Sequence, residues 1–203
     1  MKTVSNGATS IDLSPSVVLS RDVSNDVSLE VFGNPLVTPQ GTRFNGKDDG
    51  ILCHELPILS SRLSQSSLSF TVEARIKPDS GGPWEQRFFH IQDSLSDDRF
   101  LLELRMFPGG MWYADTFFQS GGRHVIIQLP QKIHPGNIWH NYRVEYDGEY
   151  LRQIINDELE EQVLFPGATL PTQGSYSLGM RANKTFPFCG EIASLILSGG
   201  VEV

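Results

Sequence analysis

Apolar and polar residues alternate with a period of two along much of this 203-residue chain. Phe70, Val72, Ala74 and Ile76 alternate with Thr71, Glu73, Arg75 and Lys77. Phe100, Leu102, Leu104 and Met106 alternate with Arg99, Leu101, Glu103 and Arg105. Successive side chains of a strand point to opposite faces, so this period predicts half-buried β-strands. Turn signals separate the runs: Pro78-Asp79-Ser80-Gly81-Gly82, Pro108-Gly109-Gly110, Gly121-Gly122, Asp147-Gly148 and Pro166-Gly167. No segment carries a helical stripe longer than about two turns. Residues 55–67 read as one short helical turn or a loop. Many short strands at regular spacing predict an all-β domain, a two-sheet antiparallel sandwich or jelly roll. Residues 1–27 read as a lead-in segment or an early edge strand, and residues 28–203 as the domain itself.

Composition narrows the function classes. Against 16 Lys plus Arg stand 24 Asp plus Glu, a formal charge of −8. Nucleic-acid binding through a basic surface is excluded on that balance, because phosphate contacts need clustered Lys and Arg. Docking on anionic lipid is disfavoured for the same reason. With 39% hydrophobic and 20% charged residues the chain is globular rather than disordered. No apolar run is long enough to cross a bilayer. The first ten residues lack the apolar stretch of an intact signal peptide. Cys53 and Cys189 have no CxxC partner, so a zinc site is not expected.

Four segments resemble, in order, the strands of concanavalin A-like, laminin-G-like jelly rolls. They are Thr42 to Ile51 (TRFNGKDDGI), Ser69 to Pro78 (SFTVEARIKP), Trp139-His140 through Asn156-Asp157, and Phe188-Cys189-Gly190-Glu191-Ile192-Ala193. The resemblance spans roughly residues 28–198. It implies two stacked antiparallel sheets, one convex and one concave, with the first and last strands commonly adjacent. Cys53 and Cys189 lie on or beside those strands. The resemblance leaves two readings open, a disulfide or two small buried hydrophobes. One departure concerns a hairpin: the family pattern has Asn-Gly where this chain has Asn156-Asp157, and a longer or differently shaped turn is allowed for.

Candidate chemistry gathers on a few segments. Glu145-Tyr146-Asp147-Gly148-Glu149 has the Glu-x-Asp-x-Glu spacing of a jelly-roll glucanase class, but Asp147-Gly148 is a hairpin signal, and a turn splays the carboxylates. The strand from Arg99 to Arg105 places Arg99, Glu103 and Arg105 on one face. It resembles the Arg-x-Glu-Leu-Arg strand of jelly-roll alginate lyases, which need cations for the uronate carboxylate and an acid and a base. His90 and Gln92 can share its groove. The leading Arg is one residue out of place, and His-x-Gln precedes the Arg strand instead of Gln-x-His following it. A solvated face with cross-strand Glu–Arg pairs is therefore the favoured reading of these residues.

Aromatic rings offer a platform for pyranose C–H faces. Trp84, in a Gly-Pro loop, is expected to be exposed. Only one of Trp112 and Tyr113 can face the groove, and Asp115 shares the face of Tyr113. Trp139 is expected in the core. Asn45, Asp48 and, through the resemblance, Glu191 are candidate ligands of a structural Ca²⁺; the alternative is a polar turn whose Asn and Asp cap their own backbone. No Gly-x-Ser-x-Gly elbow, phosphate loop or dinucleotide fingerprint is present.

The resemblance implies a glycan- or polysaccharide-binding module, extracellular or periplasmic. Its expected contacts are Trp84, Arg87, His90, Gln92, Arg99, Glu103, Arg105, Trp112, Tyr113 and Asp115. The first alternative is a polysaccharide lyase or glycoside hydrolase using His90, Glu103 and Arg105. The second is a protein–protein adhesion domain. A surface of −8 leans towards neutral glycans unless Arg87, Arg99 and Arg105 make a local positive patch.

Overall fold

The computed structural model describes residues 9–21, 29–54 and 69–199. The segment 55–67 and, within the lead-in, residues 1–8 and 22–27 fall outside the described residues. Two antiparallel sheets face each other. The first contains β1 (Thr9–Asp12), β3 (Leu36–Thr38), β4 (Gly41–Asn45), β6 (Phe70–Pro78), β12 (His140–Tyr146), β13 (Tyr150–Ile155), β14 (Glu158–Leu164) and β16 (Cys189–Gly199). Its order is β14-β13-β12-β6-β16-β4-β3, with β1 beside the far end of β16. The second contains β2 (Leu29–Phe32), β5 (Gly50–Cys53), β7 (Glu85–Asp93), β8 (Arg99–Phe107), β9 (Met111–Ser120), β10 (Arg123–Gln128), β11 (His134–Pro135) and β15 (Gly174–Leu178). It runs β10-β9-β8-β7-β15-β5-β2, with β11 on the end of β9. Neither sheet closes into a barrel. The expected jelly-roll sandwich is the observed architecture.

The core lies between the sheets, and the period-two residues fill it. Phe70, Val72, Ala74 and Ile76 of β6 are buried, as are Tyr142, Val144 and Tyr146 of β12. From the second sheet come Phe100, Leu102 and Leu104 of β8 and Trp112, Ala114 and Phe118 of β9. Phe70 meets Phe100 and Phe118 edge to face, each at 5.5 Å between ring centroids. That geometry places positive ring edges on negative ring faces. A polar chain also threads the interior. Gln153 Oε1 accepts from Thr116 Oγ1 (2.6 Å) and Tyr142 Oη (3.1 Å), while its amide donates to Glu160.

The N-terminal segment is part of the sandwich. Thr9–Asp12 pairs with Ile196–Gly199, and Ile11, Leu13 and Val18 enter the core. Pro15 opens the one-turn-plus helix α1 (Pro15–Arg21), where its missing N–H costs nothing. The Asn156-Asp157 hairpin keeps a two-residue turn. Both residues take positive φ (52° and 65°), and Ile155 pairs Glu158 directly, so no longer turn forms. The Asn156 side chain compensates by accepting from the Asn141 N–H at 3.0 Å and meeting His140 Nδ1 at 3.0 Å. Asp147 caps its own turn, accepting from the Glu149 and Tyr150 N–H groups, and the three nearby carboxylates are not aligned on one strand. Cys53 and Cys189 lie in different sheets and form no disulfide with each other.

One irregularity matters for the site. Strand β7 carries a bulge between Arg87 and Phe89. Phe88 and Phe89 are both fully buried, and Arg87 shares the outer face with His90 and Gln92. A bulge adds one residue to a strand and so resets the alternation.

Candidate functional site

The outer face of the second sheet is built by cross-strand neighbours. Arg99, Leu101, Glu103 and Arg105 of β8 stand opposite Gln119, Phe117, Asp115 and Tyr113 of β9. On the other side, Glu103 faces Arg87, Arg105 faces Glu85, Leu101 faces His90 and Arg99 faces Gln92. A cavity of about 260 Å³ opens on this face. It is lined by Arg87, Arg99, Leu101, Glu103, Arg105, Asp115, Phe117, Ile126, Gln128 and Arg181. Arg181 comes from the loop between β15 and β16.

The floor is an ion-pair lattice. Arg87 holds Glu103 through Nε at 2.8 Å and Glu85 through Nη2 at 2.5 Å. Arg105 engages Asp115 at 2.8 Å and Glu85 at 2.7 Å, and reaches Glu103 at 3.6 Å. Gln128 donates to Asp115 at 2.9 Å. Glu103 is only 4% exposed, and burial together with the neighbouring Asp115 pushes its carboxyl up to about 7 against the pull of Arg87 and Arg105. Arg87 Nη1 is buried with no hydrogen-bond partner, beneath the Phe186 ring, whose centroid lies 3.8 Å from the guanidinium carbon.

His90 sits to one side. It is 1% exposed and does not line the cavity. Its Nδ1 accepts from the Ala182 N–H at 3.1 Å, and its Nε2 makes no hydrogen bond among the described residues. Burial first, then Arg181, Arg99 and Arg87, lowers its pKa to about 3. The three residues of the lyase expectation therefore do not converge in one cleft: Glu103 and Arg105 line the cavity, and His90 lies under the loop.

Other expected residues fall in different places. Trp84 is 57% exposed and meets Tyr113 edge to face at 6.3 Å. Gln92 ties down the β7–β8 hairpin through the Asp93, Ser96 and Asp98 carbonyls. Trp112 is fully buried beside Tyr142, His134 and His140 and does not line this cavity. It takes the inward position of the pair, Tyr113 the outward one. Trp139 is only half-buried, beneath Arg75 and Lys77. Asn45 Oδ1 accepts from the Lys47, Asp48 and Asp49 N–H groups, and its amide donates to Asp48. Glu191 pairs with Lys77 and Arg43. The polar atoms of the calcium expectation thus have other partners. Among the described residues no group of three His, Cys, Asp or Glu is placed to hold a metal.

Sequence reasoning missed Arg181, Glu85 and Gln128 in this role. Glu85 was in principle legible, because it stands two residues before Arg87 on the same run. Arg181 had no signal, since its position depends on where the β15–β16 loop crosses the sheet.

No protein-family model and no curated protein matches the chain. Solved structures share its fold. Domain 4 of AbnA, a GH43 extracellular arabinanase from Geobacillus stearothermophilus in complex with arabinotriose, is 17% identical with a TM-score of 0.59. That match covers 87% of this chain and 84% of that one. Mouse laminin α1 chain domains LG4-5 are 16% identical with a TM-score of 0.54, over 85% of this chain and 45% of that one. The botulinum neurotoxin serotype D binding domain is 12% identical with a TM-score of 0.57, over 87% and 44%. This chain thus spans under half of the laminin and toxin chains. What these comparisons show is the fold: a two-sheet antiparallel jelly-roll sandwich shared with the arabinanase domain, the laminin LG4-5 domains and the toxin binding domain. Among the described residues no helix is long and apolar enough to cross a membrane.

Proposed function

We propose that this chain is a carbohydrate-associated binding module, acting outside the cell or in the periplasm, with its ligand lying across the outer face of the second sheet. The observation that carries the reading is the cavity itself: an open space whose lining sets the apolar Leu101, Phe117 and Ile126 among hydrogen-bonding groups. Sugars present apolar C–H faces and polar edges, and this lining offers both kinds of partner. Support also comes from the arabinotriose seated on an arabinanase domain of the same fold. That support is analogy, because fold and function are separable.

The geometry favours binding over acid–base catalysis. His90 Nδ1 is engaged by a backbone N–H, and arginines hold Glu103 on both sides. A glycan array combined with an ultraviolet assay for unsaturated products tests the reading. Retention of a glycan without product release is expected, with loss of retention in Phe117→Ala. Absence of binding to every neutral and acidic glycan refutes the module, and unsaturated products replace it with a lyase.

A further inference from the structure

The cavity on the second sheet carries more positive charge than its own carboxylates neutralise. Four arginines and two carboxylates line it, and Glu85 beside it pairs with Arg87 and Arg105, so three carboxylates meet four arginines. Glu103 and Asp115 are already engaged by Arg87 and Arg105. Arg99 and Arg181 make no ion pair among the described residues. Among the described residues the Arg99 side chain donates to the Asp97 carbonyl alone, at 3.0 Å, and lies 4.7 Å from the Phe117 ring centroid. Arg87 adds a buried Nη1 without a partner, in a residue 7% exposed.

The mutual repulsion leaves a trace. Burial, then Arg87 and Arg99, lowers the Arg181 pKa, and the same arginines help depress His90. Crowding like charges in a partly dry site is unfavourable unless a counter-charge joins them. The chain as a whole is at −8, so this potential is a local feature. A second cavity, of about 250 Å³, shows the contrast. It lies over the first sheet, and Glu73, Glu145 and Asp157 surround its Arg143 at 3.8, 3.1 and 3.5 Å.

Resting on the carbohydrate reading above, we propose that the cavity receives the anionic substituent of an acidic glycan, a uronate carboxylate or a sugar sulfate, between Arg99, Arg181 and Arg87. A guanidinium presents a planar fork of donors that matches either group. Phe117 and Leu101 supply the apolar surface under the ring that bears it. The volume is below the roughly 300–1,000 Å³ of sites for drug-sized ligands, so it suits one sugar unit rather than a longer segment. A neutral sugar in the same place leaves the arginines uncompensated, and discrimination follows from that.

Calorimetry on the full chain separates the alternatives. The probes are an oligogalacturonide and its carboxyl-reduced counterpart, then a sulfated carrageenan oligosaccharide, which carries no uronate, and its desulfated form. The acidic member of at least one pair is expected to bind about tenfold or more tightly than its neutral partner, and the pair that shows it identifies carboxylate or sulfate. Arg99→Gln and Arg181→Gln are each expected to weaken acidic binding about tenfold, the usual scale for a charged hydrogen bond, and so to narrow the gap between acidic and neutral probes. Arg181→Lys is expected to restore part of the loss. Arg87 is left in place, because removing it strands the buried Glu103. Equal binding of acidic and neutral probes, or acidic binding indifferent to both Gln variants, overturns the anion site and leaves the carbohydrate module standing. Absence of binding by all four probes overturns the anion site; the module falls with it only if the glycan array is blank as well.

Discussion

Replacing His90 with asparagine isolates a single proton. Asparagine retains an acceptor for the Ala182 N–H but cannot titrate. The folded protein holds the imidazole neutral down to about pH 3, whereas in the unfolded chain it titrates at 6.5. A folded-state pKa below the unfolded one means that the unfolded state binds the extra proton, so stability falls as the pH drops below 6.5. Moving from about pH 7.5 to about pH 5.0, that linkage removes about 2 kcal/mol from the wild type and nothing from the variant. The cost of the substitution itself, whatever its size, cancels when the variant is compared with wild type at both pH values. Wild type alone is not informative, because Glu103 titrates with opposite sign. Its folded pKa is raised to about 7, so its contribution is present below 4.5 and lost as the pH rises through 7. Urea unfolding followed by tryptophan fluorescence provides the four free energies. The stability gap between wild type and variant is expected to shift in favour of the variant by about 2 kcal/mol at the lower pH. A shift under about 0.5 kcal/mol means that His90 is protonated in the folded state, and that the buried, arginine-flanked surroundings assigned to it are wrong.

The remaining predictions use the same unfolding assay. Phe100→Ala removes the ring that meets Phe70, Phe89 and Phe118 and is expected to cost about 3–5 kcal/mol; a loss below about 1 kcal/mol contradicts the packed inter-sheet core. Gln153→Leu removes the acceptor shared by the Thr116 and Tyr142 hydroxyls, which keep their bond to each other, and one donor to Glu160, with an expected loss of about 1–3 kcal/mol; a neutral outcome means that the interior polar chain contributes nothing. Asp157→Val forces a β-branched residue to positive φ and is expected to cost about 1–2 kcal/mol, whereas Asp157→Gly is tolerated; equal effects argue against the two-residue turn.

Much of the sandwich was legible because strand alternation is a local property. Phe70 through Ile76 and Phe100 through Leu104 turned inward as their spacing required. The Asp147-Gly148 and Asn156-Asp157 turns fell where their residue types placed them, although Asn156-Asp157 needed no enlargement. The site was legible only in part. The face shared by Arg99, Glu103 and Arg105 follows from parity along β8, and Asp115 joins Tyr113 on it for the same reason. Trp112 or Tyr113 could not be chosen by parity alone, because either one fits a groove or a core. Burial decided it, by placing the indole against Tyr142.

What the sequence determined by itself is the inward and outward faces of most strands, since side chains alternate wherever a chain is extended and pleated. What only tertiary structure decided is the content of the cavity. The bulge at Phe88 moved Arg87 to the face of His90, because two phenylalanines had to enter the same core layer. The β15–β16 loop carried Arg181 over the sheet and set Ala182 against a histidine 92 positions earlier. Contacts across such separations arise from the packing of whole sheets, and no period along the chain encodes them.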